Sequence, residues 1–183
     1  MKNIALCFDR ARATNATALA DLLSRDSAQL VWTPAAACPA GGSRFPTRRA
    51  ARVSARATVA EAYRFLVQEW ESDDRLFLFG AGLGAACART LARLLGAVGV
   101  LNADLPGWTA QDFRAYVLST YVMPRTAHDG ADWKRIGQLA ADLSGRTDVA
   151  TGVQFLGLWD CLAVPGQRRP LDPEPLSNVV AAR

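Results

Sequence analysis

The chain has 183 residues, half of them apolar, which is enough for one domain with a sizeable core. Its 21 Lys and Arg residues against 17 Asp and Glu residues give a net charge of +4, too low to predict a dedicated nucleic-acid binder. The first apolar run stops at Asp9, too early for a signal peptide, and no later run reaches the roughly 18 residues of a transmembrane helix. The four cysteines lack C-x-x-C spacing. We therefore expect a cytoplasmic protein without a metal site.

The first part of the chain alternates short apolar runs with segments of helical periodicity. The first helix is predicted to bury Ala18, Leu19, Leu22 and Leu23. Thr58 and Glu61 have the spacing of a capping box, which predicts the start of the next helix. The predicted elements are strands over 3–8 and 29–32, helices over 15–24 and 58–70, and an irregular loop over 35–47.

The central and last parts continue this alternation. A strand over 76–79 leads into the glycine turn Gly80-Ala81-Gly82-Leu83-Gly84, and a small-residue helix over 85–95 follows. Gly96 and Gly99 are predicted to end that helix, and Thr109 to start the next one. The remaining predicted elements are helices over 109–121 and 131–143, a strand over 153–159, and an extended proline-rich segment over 165–175.

Four strands alternating with helices predict an α/β fold, a three-layer sandwich with a mostly parallel sheet. We assign residues 1–166 to this single domain and residues 167–183 to an extended C-terminal tail. Parallel sheets place their functional residues just beyond the carboxyl ends of the strands. Asp9, Gly82 and Asp160 all fall just beyond the carboxyl ends of predicted strands, so they are the candidate site residues.

The turn over 80–84 has the layout of a nucleophile elbow, G-x-S-x-G, between a strand and a helix. Glycine occupies the place of the serine in this chain. A hydroxyl nucleophile requires a side-chain oxygen at that point, and Gly82 has none.

Four stretches of the chain together resemble one known family. They are Lys2–Asp9, Ala60–Leu66, Leu76–Arg89 and Phe155–Asp160. This combination is similar to the uncharacterised α/β-hydrolase domain family that includes the type VI secretion phospholipase effectors. The resemblance implies an α/β-hydrolase-like fold of lipase type. It also implies that Gly82 stands at the nucleophile position, Asp160 at a triad acid, and Asp9 in a turn beside the active site.

The chain departs from that family at the positions that carry its chemistry. The family follows its first strand with Asp-Gly-Thr, whereas Asp9 is followed here by Arg10 and Ala11. The family's histidine lies beyond a segment that residues 176–179 resemble, and no histidine follows Asp160 here. We therefore expect Gly82, Asp160 and Asp9 to be vestigial and the protein to be a catalytically inactive binding or scaffold module. A truncated fragment of a serine hydrolase or phospholipase is an alternative.

The sequence also offers other candidate residues for chemistry. Gly80, Gly82 and Gly84 could let backbone N–H groups meet a pyrophosphate, which would make the protein a nucleotide or small-molecule binder. That motif needs an acidic residue after the next strand, and Asp104 follows only a short apolar run. His128 is interpreted as a surface histidine. The remaining candidate nucleophile, Cys87, is interpreted as a structural thiol among alanines, and no cofactor is predicted.

The densest basic cluster, here called the arginine cluster, is Arg44, Arg48, Arg49, Arg52 and Arg56. Its spacing suits either solvated loop charge or one helix face that makes weak contact with anionic lipid. Trp108 and Trp133 could form a protein-binding surface or belong to the core. An exposed sheet edge or apolar face would favour self-association or another protein partner.

Overall fold

The computed structural model describes residues 1–9, 14–35, 48–101, 109–120, 129–145, 149–160 and 176–183. Five strands and five helices lie in these ranges. In chain order they are β1 (Asn3–Phe8), α1 (Asn15–Leu22), β2 (Gln29–Trp32), α2 (Arg48–Glu69), β3 (Arg75–Ala81), α3 (Leu83–Val98), α4 (Ala110–Thr120), α5 (Asp129–Ser144), β4 (Val153–Trp159) and β5 (Val179–Ala182). None of the described helices is both long and apolar enough to cross a membrane.

The strands form one sheet in the order β2-β1-β3-β4-β5, and every neighbouring pair is parallel. This confirms the predicted three-layer α/β architecture. The sequence did not predict β5, which pairs with β4 through Val153 and Val179. Residues Val179–Ala182, which the sequence assigned to the tail, are therefore part of the sheet. The predicted boundary at residue 166 lies outside the described residues.

The main core lies on the sheet face that α2 and α3 cover. Side chains at alternate positions of β1 and β3 point into it, among them Ile4, Leu6, Leu76 and Leu78, all fully buried. On α2, the Tyr63 ring is 1% exposed. Its hydroxyl donates to the Gly99 carbonyl at 2.8 Å and accepts from the Leu101 N–H at 3.0 Å. Tyr63 therefore joins α2 to the chain that follows α3, and burial raises its pKa far above the usual value.

The opposite face of the sheet carries α1, whose contacts are with β1 and β3. Ala16 and Ala20 are the buried residues of this helix. The prediction that Ala18 and Leu22 face the core was wrong, since Ala18 is exposed and Leu22 is 84% exposed. Small residues one turn apart let the helix approach the sheet closely, which leaves Leu22 on the exposed side and Leu19 and Leu23 half-buried.

The second helix begins ten residues earlier than the capping-box pattern predicted. Thr58 lies inside α2, where its hydroxyl donates to the Ser54 carbonyl at 3.0 Å, so its predicted capping role was wrong. Alanine and arginine are strong helix formers, and no glycine or proline interrupts residues 48–57. The described part of the arginine cluster is therefore helical rather than loop.

The carboxyl end of α3 and the start of α4 follow simple capping rules. Gly99 ends α3 with φ 65°, whereas Gly96 lies within the helix. Thr109 accepts a hydrogen bond from the Asp112 N–H at 3.0 Å, which confirms its predicted role at the start of α4.

The amino ends of β1 and β3 are joined by one ion pair. The Lys2 ammonium lies 2.9 Å from the Asp74 carboxylate, whose side chain is 1% exposed. The Lys2 backbone N–H also donates to that carboxylate, at 2.8 Å. Burial disfavours the charge of Asp74, but hydrogen bonds from Lys2 and the Glu71 N–H outweigh it and lower the Asp74 pKa.

Candidate active site

The glycine turn forms a sharp corner between β3 and α3. Gly82 has φ 55° and ψ −118°, a conformation that side chains other than hydrogen rarely adopt. Its N–H donates to the Trp159 carbonyl at 3.0 Å, and its carbonyl accepts from the Ala85 N–H at 3.1 Å. The strand therefore turns into the helix at one residue, which is the geometry of a nucleophile elbow.

The three glycines of the turn do different things. A Cβ atom at Gly84 would overlap the Phe8 carbonyl of β1, and one at Gly80 would lie 2.7 Å from the Ala85 nitrogen. Both are closer than real Cβ contacts, so the packing of α3 against β3 and β1 requires these two glycines. A Cβ at Gly82 would meet no heavy atom within 4 Å. Position 82 alone points into open space.

Asp9 and Asp160 flank the elbow on either side. In the sheet register, Phe8 pairs with Gly80 and Ala81 pairs with Trp159, so each carboxylate follows a strand next to β3 at the same edge. Adjacent strands lie about 4.8 Å apart. The structure therefore brings the three sequence-predicted positions together, as the carboxyl ends of neighbouring parallel strands require.

This edge is also where the strand order changes direction. From β1 the chain moves to β2 on one side, and then returns to β3 on the other side. In open α/β sheets such a switch point opens a crevice at the carboxyl ends of the two strands, and ligands bind there. Asp9 and Gly82 stand on the two sides of this crevice.

The two carboxylates have different surroundings. Asp9 is half-buried and accepts hydrogen bonds from the hydroxyls of Thr14 and Thr17 at the start of α1. Asp160 is exposed and has φ 48°, the only positive φ at a non-glycine residue in the described ranges. Asp9 is thus held in a structural network, whereas Asp160 presents its carboxylate to solvent from a strained turn.

The start of α3 supplies backbone donors beside Gly82. Leu83 is the first residue of the helix, where an N–H has no carbonyl partner one turn earlier. In a nucleophile elbow, the N–H of this residue contributes to the oxyanion hole. The structure therefore places one of the two backbone donors of such an oxyanion hole beside Gly82, which has no hydroxyl.

The cysteine next to the elbow is not placed for chemistry. Cys87 is fully buried, and its thiol lies 3.9 Å from the Ala55 carbonyl of α2. Cys7, under α1, is also fully buried, and burial raises its pKa to about 11. Cys7 is therefore a protonated thiol in the core, and Cys87 is a buried residue that packs between α3 and α2.

Several sequence-predicted residues lie outside the part of the chain that can be described: Asp104, His128, Arg44, Trp108 and the side chains of Arg48, Arg49, Arg52 and Trp133. Arg56 is described and is half-buried on α2. Across the described ranges, no group of three or more His, Cys, Asp or Glu side chains could hold a metal ion.

The parallel sheet, the one-residue corner at Gly82 and the flanking carboxylates define an α/β protein of the hydrolase type. The family model described as T6SS, Phospholipase effector Tle1-like, catalytic domain, matches residues 8–174. The chain therefore belongs to this phospholipase effector family. No curated protein and no solved structure matches the chain.

Sequence reasoning missed one part of the site's surroundings. An aromatic cluster of Phe79, Phe155 and Trp159 lies on β3 and β4 just before the elbow, with ring centroids 5.8 and 6.2 Å apart. Gly157 lies beneath two of these rings, since a Cβ there would be 2.8 Å from Phe79 and 3.1 Å from Phe155. The alternation of aromatic residues with Gly157 along β4 was the available signal.

Proposed function

We propose that this chain is a catalytically inactive member of its phospholipase effector family, acting as a binding or scaffold module. One observation carries the proposal. At the elbow corner, where the family's hydrolysis requires a hydroxyl, the residue is Gly82, and its missing side chain would have pointed into open space. The lipase-like framework is retained around a position with no nucleophile.

The loss of catalytic rate that follows from a missing triad residue supports the proposal. In serine hydrolases, removal of a triad member leaves about 10³–10⁴-fold acceleration over water, from the oxyanion hole and substrate binding alone. The Leu83 N–H belongs to that residual machinery. Asp160 is exposed at the carboxyl end of β4. Only slow background hydrolysis is expected.

The glycines favour this proposal over nucleotide binding. In a pyrophosphate loop, glycines serve to let the backbone approach a ligand. Here Gly80 and Gly84 make room for the protein's own backbone, and the Gly82 N–H already donates to Trp159. Titration calorimetry with nucleotides separates the two functions, since the proposed module should release no binding heat.

The test of inactivity is hydrolysis by the full chain. We expect no turnover of short-chain esters or phospholipid vesicles above the slow background. Gly82→Ser should not restore activity, because a hydroxyl alone supplies neither a base nor the family's turn after the first strand. Gly82→Ala is the matched control, since it carries the same backbone strain without the hydroxyl. Hydrolysis by the unmodified chain with a rapid acyl-enzyme burst would reject the proposal.

A further inference from the structure

β5 is a short strand at the edge of the sheet, and it buries little apolar surface. It pairs with β4 in a parallel register that sets Val179 beside Val153 and Ala181 beside Phe155. Val179 is half-buried against the core, whereas the other three residues of the strand are exposed, and Val180 is 72% exposed. Segments of this kind open locally while the rest of a fold stays intact. β5 therefore belongs to the least stable part of the sheet.

One side chain fixes the start of this strand. The Asn178 amide nitrogen donates to two carbonyls at 3.0 Å, those of Ala92 in α3 and of Thr151 just before β4. The same amide lies against Gly96 of α3, where a Cβ atom would be 2.7 Å from Oδ1 and 2.8 Å from Cγ of Asn178. Glycine destabilises a helix interior relative to alanine. At Gly96 it leaves a notch in α3 that the Asn178 side chain fills.

The notch and the edge of β4 together form a binding site for an extended chain, here called the strand-acceptor site. Its upper donor is the Leu158 N–H, which lies 2.8 Å from the Arg183 carbonyl. Its lower donor is the Val153 N–H, which lies 2.8 Å from the Asn178 carbonyl. Between them, the Leu156 carbonyl accepts from the Arg183 N–H at 3.0 Å. These backbone groups fit any strand, whereas the notch selects an asparagine at its start.

We propose that β5 is a displaceable strand, and that the strand-acceptor site takes residues 176–183 of a second copy when its own strand opens. A second copy would make the same contacts that the chain's own strand makes, which is why exchange of an identical element costs little. Attachment to the same chain raises the effective concentration of the own strand to about the millimolar range. At micromolar protein the own strand therefore predominates, and a second copy competes only for the open state.

Amide hydrogen exchange on the full chain, followed by mass spectrometry, tests whether β5 opens by itself. We expect the amides of β5 to exchange faster than those of β1, and their exchange to be independent of low urea concentrations. Asn178→Ala should raise the exchange rate of β5 by about tenfold, because two hydrogen bonds are lost. Ser177→Ala, at the exposed neighbouring residue, is the matched control and should leave the rate unchanged.

Binding of a fluorescent peptide of residues 176–183, measured by anisotropy, tests the strand-acceptor site. The Asn178→Ala chain keeps the notch but holds its own strand less tightly, so it should bind the peptide about tenfold more tightly than the wild-type chain does. The Gly96→Ala chain also loses the contact with Asn178, but its notch is filled, so it should show no such gain. A peptide that carries Asn178→Ala should lose the gain as well.

Three results would overturn the proposal. They are β5 amides that exchange only together with those of β1, an exchange rate that Asn178→Ala leaves unchanged, and a peptide that binds the Gly96→Ala chain as tightly as the Asn178→Ala chain or binds neither. Alanine is the better helix former, so Gly96→Ala should keep the wild-type circular dichroism. The inference goes beyond the proposed function, and it holds whether or not the chain hydrolyses lipid.

Discussion

Replacing three glycines with alanine, one at a time, tests the elbow geometry through stability alone. At Gly84, the added Cβ would overlap the Phe8 carbonyl oxygen and lie 2.8 Å from its carbon, closer than real Cβ contacts. Both partners are backbone, so relief requires α3 to move away from β1. At Gly82 the Cβ has open space, and only φ 55° opposes it. At Gly152 the Cβ meets nothing and φ is not positive.

These differences predict a clear order of stability. Overpacking costs about 1–3 kcal/mol at deformable sites, and the rigid contact at Gly84 puts Gly84→Ala at about 3 kcal/mol or more. Gly82→Ala should cost about 1–3 kcal/mol from backbone strain alone. Gly152→Ala should be neutral or stabilising by up to about 1 kcal/mol, because alanine restricts the unfolded chain.

Urea unfolding followed by tryptophan fluorescence measures the three values. With an m-value of about 2 kcal/mol per molar, the Gly84→Ala midpoint should fall by about 1.5 M, and the Gly82→Ala midpoint by about 0.5–1.5 M. A Gly84→Ala protein within about 0.5 kcal/mol of wild type would refute the close approach of α3 to β1. The corner at residue 82 would then lose its structural basis.

Three further predictions concern other parts of the molecule. Tyr63→Phe leaves a buried N–H and a buried carbonyl without their hydrogen-bond partner. Urea unfolding should therefore show that the free energy of unfolding falls by about 2–3 kcal/mol. A decrease below about 0.5 kcal/mol would contradict the two hydrogen bonds. Folding lowers the pKa of Asp74, so the Asp74 carboxylate stabilises the folded protein above the unfolded pKa of about 3.9. This stabilisation is lost as the pH falls through the lower pKa of the folded state. Asp74→Asn should therefore destabilise the protein at pH 7 and flatten the acid limb of its stability profile, and an unchanged profile would exclude the Lys2 ion pair as the cause. The arginine cluster should bind phosphatidylglycerol vesicles weakly at low salt, and this binding should disappear at high salt. The double variant Arg49→Gln and Arg52→Gln should reduce it. Binding that is independent of salt, or no detectable binding, would eliminate a lipid contact.

The buried strands were predictable because local sequence determines them. The runs at β1, β2 and β4 are apolar, short and bounded by polar or turn residues, and the structure has them at the predicted residues. The sequence did not predict the fifth strand because Val179–Ala182 is only four residues long and three of its residues are exposed. It therefore shows neither a run of buried residues nor an alternation of apolar and polar residues. Its place depends on pairing with β4, which a local pattern does not contain.

Helix positions followed local signals less closely. The start of α2 depended on ten preceding residues of high helix propensity, which outweighed the capping pattern at Thr58. The buried side of α1 depended on how closely a helix can approach the sheet, and Ala16 and Ala20 allowed a closer approach than the leucines. In both helices a short sequence pattern was outweighed, in α2 by the helix propensity of the preceding residues and in α1 by packing against the sheet.

The candidate site was predicted better than the surface around it. Gly82, Asp9 and Asp160 could be placed at one edge because each directly follows a strand, and a parallel sheet aligns those ends. The hydrogen bonds of Asp9 with Thr14 and Thr17 and the aromatic cluster of Phe79, Phe155 and Trp159 could not be predicted, because both depend on contacts between different elements. The periodicity of one strand does not indicate which helix or loop packs on its face.

The strand order also has a consequence for synthesis on the ribosome. At the centre of the sheet, Asn3–Phe8 pairs with Arg75–Ala81. About seventy more residues must therefore be synthesised after β1 before β3, its second neighbour, can pair with it. Until then β1 can pair only with β2, and two strands alone are marginally stable. The nascent protein therefore exposes an apolar strand edge for several seconds at ordinary elongation rates, a period in which chaperone binding would protect it.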